Sequence, residues 1–150
     1  MNNTAFAPKA HPSRRHTSRV LSIQALYAWQ MSGNALARVM EDILIDREDT
    51  FPIDLPYYKT LVMEVAHNLK VIDDTFRSYL DRDLDKMTPI ELAILRLGTY
   101  ELLHQLDIPY RIVINEAIEL AKKFGAQSSH KYINGVMDKA ARALRTNERI

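Results

Sequence analysis

The chain contains no cysteine, which excludes a disulfide framework and a thiolate metal site and fits a cytoplasmic location. Only four of its 150 residues are glycine, which leaves no room for a loop that cradles phosphates with backbone N–H groups. No apolar run approaches the ~20 residues that a membrane-spanning helix requires, so no membrane partner is expected. The basic residues near the start are not followed by an apolar stretch, as a secretory signal would demand. The motifs of catalysis are missing as well. The five histidines, at 11, 16, 67, 104 and 130, form no HExxH pair or metal cluster. No serine stands in a GxSxG elbow, and Asp81, Asp83 and Asp85 lack the glycine and glutamate of a calcium loop. Together these absences predict a protein that is not an enzyme and carries no metal or other cofactor. Glu116 stands apart from the other carboxylates, because it lies where an amphipathic pattern turns inward.

What is present is a division of charge. The formal net charge of +1 conceals three unequal parts. Residues 1–40 contain Lys9, Arg14, Arg15, Arg19 and Arg38 and no acid; residues 41–107 carry 15 acids against 7 Lys/Arg; residues 108–150 carry 8 Lys/Arg against 4 acids. A basic start and end around an acidic middle suggest a nucleic-acid partner.

Apolar spacing predicts helices and nothing else, since no segment alternates with period 2. Residues 1–12 are polar, hold Pro8 and Pro12, and read as a flexible basic arm. A first helix is expected from Ser13 to Ser32 and a second, capped by Asn34, to Ile45. Asp54 caps a third, Asn68 weakens its end, and a shorter helix follows through Leu80. Thr88-Pro89-Ile90-Glu91 is a capping box. The helix it opens is apolar on most of its circumference, which predicts a central position packed from several sides. After Asp107-Ile108-Pro109 comes a helical hairpin, INEAIELAKKFGAQSSHKYINGVMDKAAR from Ile114 to Arg142. Gly125 is expected as a left-handed C-terminal residue, and Ser128 or Ser129 as the next N-cap. The tail after Arg145 is expected to fray. The fold class is thus all-α, with a core unit over residues 13–145.

Two surfaces remain that packing does not explain. Lys9, His11, Arg14, Arg15, His16 and Arg19 gather cations at a helix start, where they oppose the helix dipole; a phosphate partner would account for them. At the elbow of the hairpin lie Lys122, Lys123, Gln127, Ser128, His130, Lys131 and Tyr132. Tyr132 can offer a stacking face to an unpaired base, or close the elbow as a staple.

Leu26-Tyr27-Ala28-Trp29-Gln30, Ala93-Ile94-Leu95-Arg96, Tyr100-Glu101-Leu102, the run VINEAIEL from Val113 to Leu120, Phe124-Gly125-Ala126, Ser129-His130-Lys131, Asn134-Gly135-Val136 and Asp138-Lys139-Ala140-Ala141 closely resemble the NusB family of transcription antitermination factors. The resemblance covers residues 13–145 in order. It implies about seven helices in two small packed bundles. It also implies binding of the boxA element of ribosomal RNA leader transcripts together with NusE, a small-subunit ribosomal protein, so that RNA polymerase passes terminators. Carried over by position, the RNA-binding residues would be Lys9, Arg14, Arg15, Arg19, Lys123, Gln127, Ser128, Lys131 and Tyr132. Tyr27 and Glu91 would face NusE. Family members often carry acids where this chain has Gln127-Ser128, so less repulsion of RNA is expected here. Two other readings are the NusB-like domain of a ribosomal RNA methyltransferase and a protein-interaction scaffold without RNA contact.

Overall fold

The structure, a computed structural model, describes residues 12–148. Within them lie seven α-helices: α1 (Arg14–Ser32), α2 (Leu36–Asp46), α3 (Leu55–His67), α4 (Leu69–Arg77), α5 (Pro89–His104), α6 (Tyr110–Phe124) and α7 (Ser129–Leu144). Two 3₁₀ turns, Leu84–Lys86 and Thr146–Glu148, complete the described residues, and no strand occurs among them. Helices α1–α3 pack together as one bundle, and α4–α7 form a second around α5. As its all-round apolar pattern predicts, α5 packs against α1, α3, α4, α6 and α7. It buries Leu92, Ile94, Leu95, Leu97 and Leu102 to 7% exposure or less.

The helix ends follow local chemistry. Ser13 accepts from the His16 backbone N–H, Asp54 from Tyr57, and Thr88 and Glu91 form the reciprocal capping box. Asn34 does not cap α2. The left-handed Gly33 (φ 70°) ends α1, the Asn34 N–H turns back to the Ser32 hydroxyl, and Ala35 precedes α2 without a side-chain cap bond.

Two expectations at the far end are corrected. Gly125 is extended (φ −87°, ψ 173°), not left-handed. Its glycine serves close approach: a Cβ there would stand 2.8 Å from the Ala121 carbonyl oxygen and 2.9 Å from the Ser129 Cβ. Where a frayed tail is expected, Thr146–Glu148 form a 3₁₀ turn, and residues 149–150 lie outside the described residues. Arg145, only 1% exposed, donates to the carbonyls of Glu101, Leu102, Gln105 and Ile108. It thereby adds donors to carbonyls at the C-terminus of α5 and in the connector that follows it. Glu148 accepts from Arg145 and from the Tyr110 N–H, which holds the last turn against α6.

Candidate nucleic-acid interface

The start of α1 is a docked helix end. Arg14 is exposed on its first turn. Arg15 lies 4.3 Å over the Tyr57 ring and 3.8 Å from Asp54, with 42% of its side chain open to solvent. Arg19 belongs elsewhere. It is 3% exposed, and its guanidinium meets Glu101 at 2.9 Å and Glu116 at 3.0 Å. Burial disfavours the charged form of Arg19, but attraction and hydrogen bonding from Glu101 outweigh it and hold the guanidinium above its ordinary range. The Tyr57 hydroxyl donates to the same Glu101 carboxylate. Burial, reinforced by that negative neighbour, raises the tyrosine above its usual pKa. The assignment of Arg19 to a phosphate contact is therefore corrected: its side chain is a core connector of α1, α5 and α6. His16, whose Nδ1 is 2.9 Å from Glu116 Oε1, adds an outer link to the same carboxylate.

The elbow keeps more of its side chains outward. Lys122, Lys123, Gln127, Ser128 and Lys131 are exposed. Lys122 pairs loosely with Glu119 at 3.7 Å. Ser128 occupies the N-cap position of α7 without a side-chain cap bond. Ser129 is buried and donates its hydroxyl to Glu91 at 3.1 Å. Tyr132 is half-buried; its ring lies 4.1 Å from the Arg82 guanidinium, and its hydroxyl accepts from the Asp81 N–H at 3.3 Å. That is the geometry of a staple between α7 and the loop after α4.

The α1 start and the elbow border one groove. It measures about 540 Å³ and is lined by Pro12, His16 and Val20 of the α1 start, by Asp46, Arg47, Glu48 and Asp49, and by Lys123 of the elbow, while Arg14, Arg15 and Lys131 lie outside the lining. The His16 and Arg19 bonds to Glu116 tie the start of α1 to the middle of α6. Lys9 and His11 lie outside the described residues.

The partner-facing assignments separate. Tyr27 is 37% exposed on α1. Glu91 is only 7% exposed, and its carboxylate is held by the Thr88 N–H and hydroxyl and by Ser129. Glu91 is thus corrected from a surface contact to a tie between the starts of α5 and α7. Glu91→Ala is expected to lower stability by about 1–3 kcal/mol, the sum of a lost cap and a stranded buried hydroxyl. Thermal melts followed by circular dichroism check this; an unchanged melt would return Glu91 to the surface.

Sequence reading passed over Glu101 and Tyr57. The available signal was an acid within the apolar face of α5, directly after Tyr100. Among the described residues no group of three or more His, Asp or Glu side chains is placed to hold a metal ion, and no helix is long and apolar enough to cross a membrane.

The sequence model of the NusB family matches residues 16–142. The chain is 48% identical over 134 residues to the transcription antitermination protein NusB of Pseudoalteromonas translucida, covering 89% of this chain and 98% of that one. Its Haemophilus influenzae counterpart is 49% identical over 133 residues, with 89% and 92% covered. Among solved structures, T. maritima NusB superposes with a TM-score of 0.75 at 30% identity, covering 89% of this chain and 93% of that one. A structure of the antitermination factors NusB and NusE in complex with double-stranded RNA shares the fold, with a TM-score of 0.77 at 23% identity over 85% and 96% of the two chains. With its helix order, its capping box and its long hairpin, the chain belongs to the NusB family of transcription antitermination proteins.

Proposed function

We propose that this protein binds boxA-type RNA of ribosomal RNA leader transcripts together with NusE, and so helps RNA polymerase pass terminators. It does so in the cytoplasm and without catalysing a reaction. The observation that carries the reading is the shared groove, in which the start of α1 and Lys123 of the elbow lie together. Arg14, Arg15, Lys123 and Lys131 supply cations for phosphates, while Gln127 and Ser128 offer neutral hydrogen-bonding groups. Tyr132 holds the elbow against Asp81 and Arg82. Lys9 adds a further cation ahead of the domain of residues 13–145. The solved neighbour whose name joins NusB, NusE and RNA supports the pairing, as do curated relatives of which the chain covers more than nine-tenths.

NusE is expected on the acidic side, where Glu41 and Asp42 are exposed, with Tyr27 as a contact. Complementary charge steers such an encounter and sets its salt dependence. The test is fluorescence anisotropy of a labelled boxA-type RNA with and without purified NusE. Tight, sequence-selective binding is expected with NusE and weaker binding without it, the RNA being recovered intact. A boxA-type RNA bound no better than a scrambled one, with and without NusE, overturns the reading.

A further inference from the structure

A second groove lies where the first turn of α1 meets the connector between α5 and α6. It measures about 460 Å³ and is lined by Arg14 and Arg15 on one side and by Asp107, Ile108, Pro109 and Ile112 on the other. The connector is firmly held: Ile108 is 6% exposed, and its carbonyl, like that of Gln105, accepts from the buried Arg145 guanidinium. Against this anchoring, Ile112 is 47% exposed and Leu106, in the same connector, 68%. Pro109 is exposed between them. Their neighbours Ile108, Val113 and Ile114 are by contrast buried in the core.

We propose that this shelf is a nucleobase subsite: an unpaired RNA base lies against Pro109 and Ile112 while Arg14 and Arg15 hold its flanking phosphates. The proposal rests on the RNA-binding reading and extends it from the elbow end of α6 to the opposite end. Charge selects the occupant. Arg14 and Arg15 line the groove, Arg111 is exposed on the adjoining turn, and Asp107 is the single acid in the lining. Such a surface attracts a polyanion and repels a basic ribosomal protein. Continuity supports the same choice, because Arg14 and Arg15 already belong to the basic face at the start of α1. The apolar shelf supplies what phosphate contacts cannot, a surface for the flat face of a base.

The test uses the full chain with Ile112 changed to alanine, an exposed position in the groove lining, with circular dichroism to verify folding. Binding is measured to boxA-type RNA and to a series in which each nucleotide in turn is abasic. The variant is expected to bind the intact RNA about fivefold more weakly, with the parent's salt slope, since the shelf carries no charge. One abasic position should weaken the parent by a similar factor and leave the variant no weaker than before. If the variant binds intact RNA like the parent, RNA recognition stands and the shelf is no base subsite. If it loses NusE binding while keeping RNA, the shelf is a protein docking surface and the proposal falls. If the parent binds no RNA at all, the subsite and the RNA reading fall together.

Discussion

Glu101→Ala is expected to destabilise the protein by about 3–5 kcal/mol, because it leaves a buried guanidinium without its main counter-charge. For a chain of this length that corresponds to a fall of roughly 10 °C in melting temperature. Arg19 is 3% exposed and the Glu101 carboxylate receives both Arg19 and the Tyr57 hydroxyl, so one truncation strands two polar groups. Replacing the pair together, Arg19→Met with Glu101→Leu, should recover much of the loss, since apolar groups of similar volume need no partner. A Glu101→Ala protein that melts like the parent would remove this node from the account of how α1 is held. The pH dependence has a definite sign. Tyr57 is held above its usual pKa by burial and by Glu101. Its contribution is therefore full below the ordinary tyrosine pKa of about 10 and is lost as pH rises beyond it. The stability difference between the parent and Tyr57→Phe should therefore be constant below that pH and shrink as pH rises beyond it.

The second large effect is electrostatic. Changing Arg14, Arg15, Lys123 and Lys131 together to alanine should flatten the slope of log K against log salt by about 2.8 on single-stranded RNA, at roughly 0.7 per phosphate contact. At 0.1 M salt the same relation amounts to a loss of roughly 600-fold in affinity. The four side chains are exposed or partly so, and none anchors the core. Circular dichroism should therefore show an unchanged fold. Arg19→Ala should behave oppositely, lowering the melting temperature first and affecting RNA mainly through a loosened α1. A quadruple variant with the parent's full slope would make these cations ordinary solvated charge. A shift of half that size, confined to the Lys123 and Lys131 pair, would move the RNA off α1 and onto the elbow alone.

The contrast between Arg14 and Arg19 shows where sequence reading stops. Both belong to one basic cluster, and nothing in the local pattern tells them apart until α5 and α6 bring Glu101 and Glu116 to Arg19 from 82 and 97 residues away. Glu91 has the same history. Its capping role is written in Thr88-Pro89-Ile90-Glu91, but its withdrawal from the surface depends on Ser129, 38 residues on. Tyr132 turned toward Asp81 and Arg82 for an equally distant reason.

The sequence by itself determined the all-helical class, most helix ends, the central place of α5 and the family. Those follow from apolar period, capping residues and motifs that act over a few neighbouring positions, where local sterics and backbone hydrogen bonding dominate. Tertiary structure alone decided which charges face water and which are buried in pairs, that Gly125 is needed for close approach and not for a left-handed turn, and that Arg145 closes the end of α5. It also decided that the α1 start and the elbow share a groove. A charged side chain is fixed by the partner it meets across the chain, and that partner is set only when the helices pack.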